Sequence, residues 1–461
     1  MIESEIKTVN RPDGEICRLQ LVRLQDWESL DFLRPQPAED ALAGLLRIYR
    51  QFLVPAAPWI FGQIALFRLP EEEGMRQLSE LPVFSGAESH SDPQERLFAA
   101  VAVLRQGMQL RHGKPRFLTE EAKSLWTHLS SSGCADTVCG RLPFTKILPV
   151  SGQMGFLSAC EKDASLKVNA SFFIMDPFDC AAPFDSIGTP FGLCVKDGRV
   201  LSPPLYEREA LLVKKNGAVS VRTVSLNGLT IRLCGRVFEP AKNAEVLTRL
   251  SCKKTRMGAV PELVITGNRV RAVSLTGGLS VPASGFVLRS PGLYGLPVSP
   301  GDPVTYHGLE DILFGIQVGS SLLKDGARSK GFLSPFYNIR RPWKPAFPPS
   351  LYPLDYEKAR AARIALGADR EGRPMLLWAE GAPKIGHQKG KTSCGASLSE
   401  MEEYCLAAGM KHAVNLDGGG SAQILIDNQR LLAVSDRLPD GSELERPVPL
   451  GLIVRQTFRD P

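Results

Sequence analysis

From residue 140 onward, apolar positions fall in short β-branched runs separated by turn residues, a texture that predicts strands rather than helices. Gly192–Val195 and Val200–Ser202 flank Lys196-Asp197-Gly198-Arg199; Leu211–Val213 and Ala218–Val221 flank Lys214-Lys215-Asn216-Gly217; Leu263–Thr266 and Val270–Ser274 flank Gly267-Asn268-Arg269. Each is predicted to be a hairpin, because Gly, Asn and Asp tolerate the positive φ that tight turns demand. Repeated hairpins with few helices predict an α+β class, with a mainly antiparallel β-sheet domain over residues 139–461. Residues 1–138 read differently. Ala38–Phe52 and Gln94–Leu110 carry helical apolar spacing, for instance Leu97, Val101 and Leu104, and Thr119-Glu120-Glu121 looks like a helix start. These features predict a smaller, mainly helical N-terminal unit.

One helix in the C-terminal part is better specified. Ser397 is followed three residues later by Glu400, the pattern of a capping box. Leu398, Met401, Cys405 and Leu406 share one face, and Gly409 stands where a C-terminal cap belongs. Beyond it, His412–Leu416 reads as an apolar strand ending in Asp417, then Gly418-Gly419-Gly420-Ser421 and a second strand, Gln423–Ile426. A carboxylate at a strand end, followed by backbone without side chains, lets a ligand approach the main-chain N–H groups. The plainer reading is a glycine-rich hairpin turn.

These residues resemble the phosphodiester glycosidase family. The likeness runs through Arg363-Ile364-Ala365-Leu366-Gly367, Ser393-Cys394-Gly395-Ala396-Ser397-Leu398 and Asn415-Leu416-Asp417-Gly418-Gly419-Gly420-Ser421. Other blocks follow the family's order: Val168-Asn169-Ala170-Ser171-Phe172-Phe173, Pro190-Phe191-Gly192-Leu193, Pro282 to Leu288, Gly319 to Gly326 and Glu445-Arg446-Pro447. Together they cover roughly residues 140–456. Departures occur at Ala170 and Ser171, where relatives carry two glycines, at Ala362 and Ile364 beside Arg363, and at Ala422 after the glycine loop. The resemblance implies hydrolysis of a sugar-1-phosphodiester in a glycoconjugate or polysaccharide.

Composition narrows the alternatives. Hydrophobic residues make up 43% and charged residues 23% of the 461, ordinary for a globular protein. The net charge of +6 suits an anionic substrate, but no long basic run supports nucleic-acid binding. Met1–Ile6 is acidic and lacks an apolar signal region, so the chain reads as cytoplasmic, whereas relatives of the family are often exported. Phe52–Phe67 is uncharged but broken by Pro55, Pro58 and Gln63, and reads as core rather than a membrane span. The ten cysteines show no zinc spacing and read as free thiols. The proline-rich run Pro342–Pro353, with Trp343 and Phe347, reads as an extended surface loop.

Cleaving a sugar C1–O bond to phosphate creates an oxocarbenium-like centre and expels a phosphate monoester. Ordinary glycosidases need a second carboxyl group to protonate the leaving group. Phosphate leaves readily, so the site needs one carboxylate and donors that hold negative charge. Asp417 is the candidate carboxylate, with Arg363 and Arg446 as guanidinium partners for phosphate. Asn169 is a candidate for a sugar hydroxyl or acetamido group. Gly418, Gly419, Gly420 and Ser421 are candidates for cradling oxygens, Phe172 and Phe173 for walling the pocket, and Gly319 and His387 for further substrate contacts. The plainer readings are that the phenylalanines are core, Arg446 pairs with Glu443 or Glu445 at the surface, Ser421 caps a turn and His387 sits in a solvated loop. A lone carboxylate in a glycine loop is weak ground for a metal, so no cofactor is expected. A different class remains open: a non-catalytic phosphoglycan- or exopolysaccharide-binding or assembly protein that keeps the pocket. The sequence leaves the oligomeric state unassigned.

Overall fold

A computed structural model describes residues 2–35, 108–127 in part, 154–174, 182–185 in part, 188–329, 359–438 and 440–455. One compact unit comprises Met1–Ala38, Ser151–Met175 and Asp179–Pro461; a second comprises Glu39–Val150 with Asp176–Phe178. In the second unit the described elements are a hairpin, Met108–Arg111 with Lys114–Phe117, and helical positions at Glu120, Lys123, Ser124 and Thr127. The hairpin replaces the C-terminal end of the helix expected over Gln94–Leu110. The helix expected at Ala38–Phe52, the apolar run Phe52–Phe67 and the segment Pro342–Pro353 lie outside the described residues. None of the described helices is long and apolar enough to cross a membrane.

The main unit is built on a seven-stranded sheet, in the order Glu3–Asn10, Ile16–Arg23, Pro374–Ala379, Arg363–Ala368, His412–Asn415, Ser321–Lys324 and Ala327–Arg328. Every pairing in it is antiparallel. The first two strands correct the expected boundary at residue 138, since the N-terminal 23 residues complete the sheet that carries the glycine loop. Period-two alternation divides this sheet between two cores. On one face Val22, Ile364, Leu366, Leu376, Trp378, Val414 and Leu416 join the central core. On the other, Leu19, Leu21, Ala365, Met375, Leu377 and Ala413 pack against the helix through Leu398, Met401 and Cys405. A sheet covered on both faces explains strands with no polar alternation, such as Pro374–Ala379, which is buried throughout.

Across the central core stand two further sheets. One, ordered Ile424–Ile426, Ala164–Asn169, Gly451–Arg455, Leu30–Leu33, contributes Leu166, Val168, Ile424 and Leu452. The other is five-stranded and contains the first two predicted hairpins. In the turn between Cys194–Lys196 and Arg199–Ser202, Asp197 and Gly198 take φ of 53° and 83°, the conformation their residue types predicted. The third predicted hairpin, Glu262–Thr266 with Arg269–Ser274, lies in a four-stranded sheet around a separate core that includes Phe286 and Tyr306.

The helix runs Leu398–Ala407, where its caps placed it. Ser397 Oγ accepts from the Glu400 N–H at 3.2 Å, while Glu400 accepts from the Ser397 N–H at 2.8 Å. At the other end Gly409 takes φ 87°, with its N–H donating to Leu406 and that of Met410 to Cys405, a Schellman closure. Ser397→Ala is expected to lower folding stability by about 1 kcal/mol. An earlier urea midpoint with an unchanged slope would show it.

Candidate active site

The two leading candidates lie at the ends of neighbouring antiparallel strands. Ala365 pairs with Asn415, and the Leu416 N–H continues the ladder by donating to the Ile364 carbonyl at 2.8 Å. Arg363 and Asp417 each stand two residues beyond that pair along their chains. Ile364 turns into the central core, so Arg363, its neighbour on the same strand, turns the other way. Both are largely buried, at 5% and 7% exposed. The Arg363 Nε–H donates to the Ala396 carbonyl at 3.4 Å and an Nη2–H to that of Ala359 at 3.2 Å.

The loop after Asp417 is not a hairpin turn. Strand His412–Asn415 lies in the seven-stranded sheet, whereas Ile424–Ile426 pairs with Ala164–Asn169 in the sheet across the core. The glycine segment therefore spans two sheets, and it is fixed at both ends. The Asp417 N–H donates to the Ala170 carbonyl at 2.9 Å and the Gly419 N–H to that of Ala362 at 2.8 Å. The Asn169 amide clamps both ends of the loop: its Nδ2 donates to the Asp417 carbonyl at 2.7 Å, and its Oδ1 accepts from the Gln423 N–H at 2.9 Å. Asn169 is 1% exposed. It therefore holds the carboxylate's backbone, a different task from the sugar contact expected of it.

Two of the glycines are dictated by close approach. A Cβ on Gly418 would meet the Ala362 carbonyl oxygen at 2.5 Å and stand 3.6 Å from Arg363 Cδ. A Cβ on Gly420 would lie 2.0 Å from Asp436 Oδ2 and 2.4 Å from Arg446 Nη2. The loop thus passes close to Arg363 at Gly418 and to Arg446 at Gly420. Arg446 is buried, not a surface partner of its glutamates; its Nε and Nη2 reach Asp436 Oδ2 at 3.0 and 2.9 Å. Glu443 and Glu445 pair instead with Arg430, each at 3.4 Å. Lys384 Nζ closes on the other Asp436 oxygen at 2.5 Å. Burial pushes the Asp436 carboxyl up, but the Arg446 and Lys384 charges outweigh it and hold it below the usual carboxylate range.

The remaining candidates divide. Ser421 is fully buried, and its hydroxyl has no hydrogen-bond partner among the described residues; the Ser171 hydroxyl is in the same state. Leaving a buried hydroxyl unsatisfied costs about 1–3 kcal/mol, a cost that a polar ligand removes. Phe172 and Phe173 are 6% and 3% exposed. The Phe172 carbonyl accepts from the Phe191 N–H at 2.8 Å. The Gly319 N–H donates to the Asn415 carbonyl at 2.9 Å, which buttresses the strand leading to Asp417. His387 is held by Thr392 Oγ1 at 2.9 Å and Glu15 Oε1 at 3.4 Å, on the turn between the first two strands. Asp436, Lys384 and the buried Ser435 escaped sequence reasoning. They lie in loops with no local pattern, and only tertiary contact gathers them.

Among the described residues no group of His, Cys, Asp and Glu side chains could hold a metal ion. A cavity of about 750 Å³ exists elsewhere, lined by Phe238, Lys242, Glu245 and Arg289 among others. Of its cations, Arg289 pairs with Glu245 and Glu262 and Lys242 with Glu239, while Arg236 donates to the Gly292 and Tyr294 carbonyls.

Comparison with known proteins follows the same residues. Human N-acetylglucosamine-1-phosphodiester alpha-N-acetylglucosaminidase is 35% identical over 80 residues, which is 17% of this chain and 14% of that protein. The Bos taurus enzyme of the same name is 37% identical over 81 residues, with the same coverage of each chain. The matches thus span about a seventh of these relatives' length. Among solved structures, the pro-peptide-inhibited catalytic domain of the zebrafish enzyme aligns at 10% identity and TM-score 0.41, over 99% of this chain and 83% of that one. A hypothetical protein from Synechocystis aligns at 14% identity and TM-score 0.41, over 98% and 62%. The model of the phosphodiester glycosidase family matches residues 296–455, which include Arg363, Asp417, Asp436 and Arg446. Over residues 296–455 this chain is similar to the phosphodiester glycosidase family.

Proposed function

We propose that the protein is a hydrolase that cleaves the C1–O bond of a sugar-1-phosphodiester, releasing a free sugar and a phosphate monoester. The observation that carries this reading is the close packing of the loop that follows Asp417, against Arg363 at Gly418 and against Asp436 and Arg446 at Gly420. Water supplies the oxygen that ends on C1, and the electrons of the broken bond leave with the phosphate oxygen. Asp417 serves C1, as a nucleophile or by taking the proton of the attacking water. Arg363 and Arg446 hold the phosphate and the charge it gains as the bond breaks. The Gly418 and Gly420 N–H groups and the two unsatisfied serine hydroxyls donate to the remaining oxygens. Asn169 keeps Asp417 in place.

The competing reading, a pocket retained without turnover, drew on the departures from the family pattern. Ala170, Ala362, Ile364 and Ala422 all pack into the central core, so four of these five departures are accommodated by core packing. Ser171 is the exception, and it adds a hydroxyl. The test is release of free sugar from aryl or methyl sugar-1-phosphodiesters. Binding of the diester without release of sugar would overturn the enzyme and favour the binding module.

A further inference from the structure

We infer that the paired segments 253–258 and 275–281 form a surface that docks on an anionic lipid bilayer. Met257, Leu275 and Tyr294 enter the headgroup region, and Lys253, Lys254 and Arg256 hold lipid phosphates. The inference goes beyond the hydrolase reading and uses none of the residues assigned to that site.

The two segments run antiparallel. The Thr255 N–H donates to the Leu279 carbonyl at 2.9 Å, the Val281 N–H to that of Lys253 at 3.1 Å and the Gly258 N–H to that of Thr276 at 2.8 Å. Gly277 and Gly278 take φ of 70° and 77°. A Cβ on Gly278 would lie 2.4 Å from Met257 Sδ, so the Met257 side chain lies across this glycine. Met257 is nevertheless 72% exposed, Leu275 61% and Tyr294 50%, the three highest values for large hydrophobic side chains among the described residues. Tyr294 shares the rim, because its hydroxyl donates to the carbonyl of Ala259, two residues after Met257. Single apolar side chains scattered over a surface need no explanation, but the three most exposed ones gathered in one place do.

Charge completes the pattern. Lys253, Lys254 and Arg256 are exposed, and none pairs with an acid among the described residues. Between positions 247 and 301 the sequence holds one acidic residue, Glu262. It is fully buried and occupied, with Thr255 Oγ1 donating to it at 2.6 Å and Arg289 Nε at 2.7 Å. Thr255 stands between Lys254 and Arg256, so the segment turns one residue towards the buried carboxylate and its neighbours outward. A cationic face without acids complements an anionic partner. Apolar tips that protrude, rather than line a groove, suit a bilayer interface, which yields to them and demands no matching shape. A polyanionic polysaccharide would use the cations and leave Met257 and Leu275 in water.

The test is flotation of the full chain with vesicles of equal parts phosphatidylglycerol and phosphatidylcholine, and with vesicles of phosphatidylcholine alone. The parent is expected to bind the anionic vesicles at least about tenfold more tightly, and to be released as salt rises. Lys253→Ser, Lys254→Ser and Arg256→Ser combined should weaken that binding about a hundredfold, at about fivefold per cation. Met257→Ser with Leu275→Ser should weaken it about tenfold at unchanged charge. All these side chains are exposed, so the unfolding midpoints of both variants should match the parent's. If the apolar double variant unfolds early, Met257→Gln alone takes its place. A parent that ignores anionic vesicles overturns the inference, and so does binding that neither variant weakens. Binding that needs the three cations but not Met257 and Leu275 overturns it as well, and points to a polyanion such as a charged polysaccharide. None of these outcomes depends on sugar release, so failure here and failure of the hydrolase reading are distinct.

Discussion

Asp417→Asn is expected to reduce sugar release about a thousandfold or more, with kcat and kcat/KM falling together. The substitution removes charge and basicity but little volume. The bonds that set the loop involve the main chain at this position, from the Asn169 amide to the Asp417 carbonyl and from the Asp417 N–H to the Ala170 carbonyl. An amide side chain leaves both intact, so the loss of turnover should far exceed any loss of stability. A matched unfolding midpoint beside lost turnover separates this outcome from misfolding. Retention of more than a tenth of the parent kcat would show that the carboxylate does not serve the reacting carbon.

Much of this centre could be read in the residues because local chemistry announces it. Turn glycines gave the three hairpins, and the Ser397–Glu400 box gave the helix start. The Asp417 loop stood out because three glycines after a strand-end carboxylate have few purely structural uses. What could not be read is where chain segments meet. Nothing between Asp417 and Ile424 says that the chain leaves one sheet for another. The strand Ile16–Arg23 shows period-two spacing at Cys17, Leu19 and Leu21, but nearby helical patterns drew those residues into a separate unit. Asn169 is polar and precedes two phenylalanines, so it resembled a ligand contact. Its partners, Asp417 and Gln423, lie about 250 residues away, at separations of 248 and 254. Asp436 and Lys384 lack even that hint, since their significance arises only through Arg446 and Gly420.

Arg446→Met is expected to destabilise the fold by about 3 kcal/mol at neutral pH, because it leaves a buried carboxylate short of its main partner. Lys384 stays at 2.5 Å and keeps the loss at the lower end of the range for broken buried pairs. The pH dependence follows from linkage. In the parent, the Asp436 pKa lies below its ordinary 3.8, so its stabilising contribution is complete above 3.8 and is lost as pH falls through the lower folded value. Without Arg446, the burial that already pushes this pKa up meets less opposition, and the carboxyl becomes easier to protonate in the folded protein. The deficit of Arg446→Met should therefore be largest near neutrality and shrink towards about pH 3.5. Adding Asp436→Asn should recover much of the lost stability, because the orphaned charge is gone and the coupling energy between the two sites has the opposite sign to their separate costs. Urea unfolding of the parent, both single variants and the double variant at several pH values measures each of these quantities. A deficit independent of pH and untouched by Asp436→Asn would mean that Arg446 stabilises through packing of its stem rather than through its charge.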